Sequence, residues 1–204
     1  MGMMINRRRV MGNKKVDPYA QYAVDLGLPS GILWMDRNIG ANAPENYGLY
    51  FAWGETTGYA NAAARNTALG REDGFTQDSY QASGIKGNLD LAHDAANVAL
   101  GGYWRMPTKN EIQEMISNCD LSTREVNGIA GVVFTSKING KTIFFPNNGS
   151  YDGKRCYWYT YSVRCWSSTT NNGLCKNYND NYAAVIYFQY YQGLCIRPVK
   201  QTTI

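Results

Sequence analysis

In the second half of the chain, apolar and aromatic residues occur in short runs that are separated by turn residues. One run covers 132–135 and another covers 142–145, and the pair Asn139-Gly140 between them is a strong signal for a β-hairpin. Three further runs predict strands at 164–168, 182–188 and 194–199. Strands this short, with turn residues between them, favour small antiparallel sheets over a parallel sheet with crossover helices.

The first half of the chain predicts one more hairpin and two helices. The hairpin pairs residues 22–28 with 32–34 around Pro29-Ser30-Gly31. Residues 56–88 lie between this hairpin and the two helices. They are polar and show no periodic pattern of apolar residues, so we expect a long surface loop there. The chain is therefore predicted to be α+β, with two helices packed on short antiparallel β-sheets with long loops.

Each predicted helix has a capping signal at its start. Asp90 is expected to cap the first helix, with Leu91, Ala95 and Val98 on one face and Gly101-Gly102 at its end. The second begins at a capping box of Thr108 and Glu111, and its apolar stripe consists of Ile112, Met115, Ile116 and Cys119. This stripe predicts packing against the core.

Length and charge indicate one domain with a basic tail. A chain of 204 residues with 44% apolar residues can bury a single substantial core. Five of its 20 basic residues lie in the first fifteen positions, which contain no acid. We expect residues 1–18 to be a flexible, solvated tail and 19–204 to be one domain. A tail of this kind can touch nucleic acid, but a solvated terminus is the simpler interpretation.

Targeting and membrane signals are absent from the sequence as given. It contains no apolar run long enough to span a bilayer and no apolar segment of the kind found in secretory signals. We therefore expect no membrane insertion and a cytoplasmic or virion-associated location.

The search for catalytic chemistry finds little. The single histidine, His93, lies beside Asp94 in a predicted helix, and no phosphate-binding loop or metal-ligand spacing is present. We predict no catalytic residues, no metal and no cofactor. A cysteine-based oxidase stays open as an alternative, because four of the five cysteines lie in the last quarter and a lowered pKa would activate one.

The C-terminal quarter has an unusual composition. Residues 151–195 hold nine of the 16 tyrosines, together with a cluster of asparagines at 171–181. Tyrosine supplies a stiff, amphipathic contact surface at low entropic cost, and Asn, Ser and Gly adapt their hydrogen bonds, as in antibody paratopes. The same composition also fits turn residues and sheet-face aromatics of ordinary β-structure. Composition alone leaves both interpretations open.

Six ordered motifs span about residues 20–200: Val24–Gly31 with Trp34, Asn38–Ala41 with Pro44–Gly48, Phe51–Thr57, Trp104–Thr108, Trp166–Thr169 and Arg197–Val199. Their resemblance is to a known family, the Fibrobacter succinogenes major paralogous domain, found in gut bacteria and phages. It implies the C-type lectin fold, which formylglycine-generating enzymes share. The calcium-binding motifs of sugar-binding relatives, such as Glu-Pro-Asn, are absent, and no reactive cysteine pair of the enzymes can be assigned here.

Within this family, the C-terminal composition resembles the variable protein of a diversity-generating retroelement, in which a reverse transcriptase rewrites adenine positions near the 3′ end of the gene. Changes at the adenines of AAY codons cannot produce Lys, Glu, Gln, Met or Trp. Apart from Lys176, residues 171–182 contain only permitted types. The resemblance implies a variable ligand-binding region at about 155–195, in which Trp158, Trp166, Lys176, Gln189 and Gln192 are scaffold or unmutated positions on this argument.

The resulting hypothesis is a non-catalytic protein that displays a hypervariable, Tyr-rich surface. The expected partner is a protein or glycan ligand such as a cell-surface receptor, with a phage particle or a second copy of the chain as further candidates. A purely structural subunit is the other alternative. The predicted ligand contacts are Tyr157, Tyr159, Tyr161, Val163, Arg164, Asn172, Leu174, Lys176, Tyr178, Asn179, Asp180, Tyr182, Gln189, Tyr190 and Tyr191.

Overall fold

A computed structural model describes residues 16–78, 87–177 and 180–202 of the chain, and they form a mixed α+β structure with few helices and small antiparallel sheets. After a 3₁₀ turn at Ala20–Tyr22, the helices are α1 (Ala62–Leu69), α2 (Ala95–Ala99) and α3 (Lys109–Asn118). The strands are β1 (Ala23–Asp25), β2 (Ile32–Met35), β3 (Cys119–Val126), β4 (Ile129–Ser136), β5 (Thr142–Pro146), β6 (Ser150–Asp152), β7 (Arg155–Tyr157), β8 (Ser162–Trp166), β9 (Asn172–Asn177), β10 (Ala184–Tyr187) and β11 (Val199–Gln201).

The strands form four small sheets, in the orders β1-β2-β11, β3-β4-β5, β10-β9-β8 and β6-β7. The first sheet joins the two ends of the domain, because Trp34 of β2 lies opposite both Val24 of β1 and Val199 of β11. Both predicted hairpins are confirmed, and Phe134 pairs with Ile143 across the Asn139-Gly140 turn. The strands predicted at 164–168 and 182–188 form as β8 and β10, although each is shifted or shortened.

Helix α3 is confirmed with its capping box. The Thr108 side chain accepts the N–H of Glu111, and the Glu111 carboxylate accepts the N–H of Thr108 at 2.8 Å. The buried residues of α3 include Ile112 and Met115, as the apolar stripe predicts.

The prediction for α2 was wrong in its start and in its buried face. Its N-cap is Asp94, whose carboxylate accepts the N–H of Asn97 and, from twelve residues away, the N–H of Met106. This long-range anchor draws Ala95 and Ala96 into the core and leaves Leu91 and Val98 exposed.

Helix α1 lies inside the segment that was expected to be a loop. Asn61 caps its first turn by accepting the N–H of Ala64 at 2.8 Å, and Gly70 ends it in the left-handed conformation at φ +62°. Its buried residues are Ala62 and Arg65. Since the helix turns an arginine inward, where it pairs with Glu55, no apolar period marks it in the sequence.

Four tryptophans lie in the two core clusters, among them the motif residues Trp34, Trp104 and Trp166. The Trp166 indole donates to the carbonyl of Phe51 at 2.8 Å, which joins two of the family-like motifs across the core. Arg197 is fully buried, and its guanidinium donates to Asn38 Oδ1 at 2.8 Å and to three backbone carbonyls. These motifs thus form the scaffold of the domain.

The ordered domain begins earlier than the predicted boundary after residue 18. The Asp17 carboxylate pairs with Lys200 Nζ at 2.7 Å and accepts from the Trp104 indole at 3.1 Å. A residue assigned to the flexible tail is therefore fixed to the C-terminal strand. The basic part of the tail, residues 1–15, lies outside the described residues. In the described part of the chain, no helix has the length and apolar character needed to cross a membrane.

Candidate ligand-binding surface

The most prominent surface feature is a turn of aromatic residues between β7 and β8, called here the aromatic turn (residues 157–161). Tyr157, Trp158, Tyr159 and Tyr161 are between 45% and 57% exposed. Among the described residues, seven of the twelve large apolar side chains that are exposed lie between 157 and 187. Exposed aromatic surface is therefore concentrated in one stretch of the chain, where a contact surface would need it.

The aromatic turn is held by a rigid frame that does not depend on its aromatic side chains. The N–H of Thr160 donates to the Asn147 carbonyl, and the Asn147 side-chain amide donates back to the Thr160 carbonyl, both at 2.9 Å. Gly149 lies so close beneath the turn that a Cβ would stand 2.4 Å from the carbonyl oxygen of Tyr157. The frame residues Asn147 and Gly149 thus fix the backbone while the aromatic rings remain outside.

Two residues of the turn have a backbone conformation that side chains with a Cβ rarely adopt. Trp158 has φ +58° and Thr160 has φ +64°. For a bulky or β-branched residue such a conformation costs energy and persists only where the surrounding contacts impose it. Strain of this kind often accompanies functional surfaces, and here it lies within the turn that exposes four aromatic side chains.

A second group of exposed residues lies along β10, at the edge of the sheet β10-β9-β8. Tyr182, Ile186 and Tyr187 are exposed there. Arg164 of β8 connects this region to the aromatic turn, because its guanidinium carbon lies 5.5 Å from the Trp158 ring centroid and 5.7 Å from that of Phe188. Phe188 in turn packs edge-to-face against the buried Trp166.

Beside the aromatic turn is an open cleft of about 690 Å³ whose lining includes four tyrosines. Tyr47 and Tyr159 contact each other with ring centroids 5.1 Å apart, and Tyr50 meets Tyr151 edge-to-face at 4.8 Å. The Tyr50 hydroxyl donates to the Asn148 carbonyl at 2.7 Å, and burial raises the pKa of Tyr151 to about 12. Burial also raises the pKa of Tyr47 and Tyr50, so these two phenols and that of Tyr151 stay protonated at neutral pH. The full lining is uncharged: Asn46, Tyr47, Gly48, Tyr50, Ala60, Asn61, Ile129, Tyr151, Cys156 and Tyr159.

The structure places most of the predicted ligand contacts at or near the surface. Exposed residues of the set are Tyr157, Tyr159, Tyr161, Tyr182 and Gln189. Partly exposed residues are Arg164, Asn172, Asp180, Tyr190 and Tyr191. Two further predicted contacts, Tyr178 and Asn179, lie outside the described residues.

Three predicted contacts are buried and do not contribute surface. Val163 and Leu174 lie on the inward face of β8 and β9, within the first core cluster. Lys176 is buried as well, and its ammonium donates to the Asn177 carbonyl at 2.6 Å. The error has a simple cause: core residues cover both faces of β8 and β9, so a contiguous stretch chosen by composition includes strand residues that have no exposed side chain.

Other surface residues were missed. Trp158 was excluded by the codon argument, although it is the most exposed residue of the aromatic turn. Tyr187, Tyr47 and Tyr151 were also overlooked. Tyr47 and Tyr151 reach the cleft only through the tertiary fold, because they belong to segments distant from the aromatic turn in sequence.

Four of the five cysteines have a raised thiol pKa. All five are free thiols. Burial raises the pKa of Cys156 and Cys119 to about 11 and that of Cys165 to about 12, and it also raises the pKa of Cys195. Thiols with such pKa values are protonated at neutral pH and are weak nucleophiles. Within 16–78, 87–177 and 180–202, no three His, Cys, Asp or Glu side chains cluster in a way that could hold a metal ion.

The described residues thus form a mixed α+β structure that exposes aromatic side chains on a hydrogen-bonded turn. Searches against protein-family models, curated proteins and solved structures give no match for this chain.

Proposed function

We propose that the chain is a non-catalytic ligand-binding protein with the C-type lectin fold, and that the aromatic turn and the adjoining edge of β10 form its recognition surface. The observation that carries this proposal is the concentration of exposed tyrosine and tryptophan on a turn held by Asn147 and Gly149. A preorganised backbone with rigid aromatic side chains loses little entropy on binding, and such residues dominate the energetics of protein interfaces.

The resemblance to the family supports the fold part of the proposal. Its motif residues Trp34, Trp104, Trp166 and Arg197 are all buried and connect distant segments. Residues with such roles would be retained in a shared scaffold while the surface changed.

We further propose that the surface is diversified by a retroelement, as the resemblance implies. The hydrogen bonds between the aromatic turn and Asn147 use the Thr160 backbone and the Asn147 backbone and amide, not an aromatic side chain. Substitution at 157, 159 or 161 would therefore change the contact surface while leaving these bonds in place. A cell-surface receptor, whether protein or glycan, is the proposed ligand, and a phage particle is the proposed carrier.

The cysteine oxidase alternative is less well supported. Such an enzyme needs a thiolate, and burial holds the pKa of Cys156, the least buried thiol, at about 11. A purely structural subunit would use the exposed aromatic rings only to pack against a neighbour.

A display experiment tests the proposal with a probe protein in place of the natural ligand. A yeast-displayed library would be randomised at five exposed positions and selected for binding to streptavidin, a protein unrelated to any natural ligand. A control library would carry the same randomisation at five buried positions. The randomised positions are 157, 159, 161, 182 and 187 in the first library and 132, 134, 163, 174 and 199 in the second.

We expect most members of the surface library to remain folded, as measured by protease resistance, and selection to yield streptavidin binders. Most members of the core library should be degraded, because each buried position contributes to the packed interior. A surface library that unfolds like the core library, or that folds but yields no binders, would contradict the proposal.

A further inference from the structure

Arg164 lies at the junction between the aromatic turn and the β10 edge in an unusual environment. It is half-buried on β8, between the rings of Trp158 and Phe188. Its Nη1 donates to Ser150 Oγ at 3.1 Å and its Nε to Ser162 Oγ at 3.4 Å. Both serines are buried, so two fixed hydroxyl groups hold the guanidinium in one orientation.

This arginine has no counter-charge. All 16 acidic residues of the chain lie within the described ranges, and none of their carboxylates comes within 4.0 Å of Arg164. Two other partly or fully buried arginines are neutralised, since Arg65 pairs with Glu55 and Arg105 pairs with Glu111, whereas the fully buried Arg197 is held by hydrogen bonds to backbone carbonyls and so is closed to a ligand.

No described carboxylate faces Arg164. The titratable side chains that interact with its charge are the thiols of Cys156 and Cys175, and burial keeps Cys156 protonated at neutral pH. Its Nη2 makes no hydrogen bond to any described residue, and it is not among the buried polar atoms that lack a partner, so solvent reaches it. Burial also lowers the pKa of Arg164, which is the effect expected for a cation that has lost part of its hydration.

We propose that Arg164 is the anchor for a carboxylate group of a protein partner, bound between the aromatic turn and β10. The inference rests on the proposed function, since it names the chemistry that this recognition surface takes. A partly desolvated guanidinium whose Nη2 is open to solvent is matched by a carboxylate, whose oxygens accept charge-assisted hydrogen bonds from guanidinium N–H groups.

A single positive charge among neutral hydroxyl, thiol and aromatic groups balances a monoanion, which favours a carboxylate over a phosphate dianion. The surroundings favour an acidic side chain of a protein as its source, because Arg, Trp and Tyr together are the residues that form energetic centres of protein interfaces. An acidic polysaccharide is the competing source of the same group.

The test is an NMR titration of the whole chain with hexaglutamate peptide, with hexaglutamine peptide as the neutral control and oligogalacturonate as the acidic carbohydrate. The reporter is the Nε–Hε resonance of Arg164, assigned by its absence from the Arg164→Lys variant. Arg164→Gln removes the charge, and Arg155→Gln removes a charge from an exposed arginine on the neighbouring strand β7.

We expect hexaglutamate to shift the Arg164 resonance saturably and hexaglutamine to leave it unchanged. Hexaglutamate should also shift the backbone amide resonances around Trp158, and these shifts should disappear in Arg164→Gln but persist in Arg155→Gln. In Arg164→Lys, which keeps the charge but loses the planar guanidinium, the shifts should saturate at a hexaglutamate concentration at least about threefold higher than in the wild type. Because the wild-type resonance is itself a readout, the test does not depend on the Gln variant folding.

The proposal would be overturned if hexaglutamate did not move the Arg164 resonance. It would also be overturned if the shifts of the backbone amides around Trp158 were lost equally in Arg164→Gln and Arg155→Gln. Saturable binding of oligogalacturonate without binding of hexaglutamate would overturn the assignment to a protein partner. The display selection does not randomise Arg164, so streptavidin binders from the library together with no effect of hexaglutamate would refute the Arg164 anchor alone.

Discussion

Replacing Thr160 by glycine should stabilise the protein, because Thr160 holds the aromatic turn in a left-handed backbone conformation. Its φ of +64° costs a residue with a Cβ about 1–2 kcal/mol, and more for a β-branched one. Glycine removes that cost but adds about 0.5–1 kcal/mol of conformational entropy lost on folding. The backbone hydrogen bonds to Asn147 are unaffected, so we expect a net gain of about 0.5–1 kcal/mol in the free energy of unfolding.

The assay is urea denaturation followed by fluorescence. With an m-value of about 2 kcal/mol/M, the gain corresponds to an increase of roughly 0.3–0.5 M in the midpoint. Thr160→Ala keeps the strain and should not raise the midpoint by this amount, while Thr123→Gly, at an exposed position of strand β3, should lower it. A Thr160→Gly midpoint at or below that of wild type would refute the view that the frame imposes strain on the turn.

Three further predictions concern the core, the acid stability and the thiols. Leu174→Ala should lower the free energy of unfolding by about 2–5 kcal/mol in urea denaturation, because Leu174 is a core residue; a loss of under 1 kcal/mol would instead suit a surface position. Burial tends to raise the pKa of Glu111, but hydrogen bonds from Arg105 and from the Thr108 backbone hold it below its usual value of 4.5. The ionised Glu111 therefore stabilises the folded protein above about pH 4.5, and this stabilisation is lost as the pH falls through the pKa that Glu111 has in the folded state. Glu111→Gln should therefore reduce the fall in the free energy of unfolding between neutral and acidic pH. The same pH dependence in the variant and the wild type would count against this ion pair. Ellman's reagent should modify only Cys156 in the folded protein, slowly at pH 8 and faster as pH approaches its pKa of about 11, and Cys156→Ser should abolish the reaction; rapid modification of any thiol at pH 7 would revive the oxidase alternative.

Elements with strong local signals could be predicted from the sequence. The Asn139-Gly140 turn specifies a hairpin through its own backbone preference, and Thr108 with Glu111 caps α3 through contacts within one helical turn. In both cases the information lies within a few residues of the element. Such elements form as expected.

Elements that depend on distant contacts could not be predicted in the same way. Helix α2 begins at Asp94 because that carboxylate also accepts the N–H of Met106, which lies beyond the helix. Helix α1 buries Arg65 opposite Glu55, so it lacks an apolar stripe. The ends of α1, with Asn61 as N-cap and Gly70 after the last turn, carry a capping signal that could have located it without an apolar period.

For the recognition surface, composition located the region but not the individual residues. Tyr157, Tyr159 and Tyr161 are exposed as expected, whereas Val163 and Leu174 from the same region face inward. The change occurs where the turn becomes strand β8, because core residues cover both faces of that strand.

The most direct test of the central claim is to sequence many copies of this gene from one source, together with the DNA downstream. If the surface is diversified, substitutions should be confined to adenine positions in codons within 155–195, should concentrate at exposed positions such as 157, 159, 161 and 182, and should spare the buried Trp166. A near-repeat of this segment and a reverse-transcriptase gene should lie nearby. A uniform gene with no such repeat would contradict the claim that this surface is a diversified recognition site.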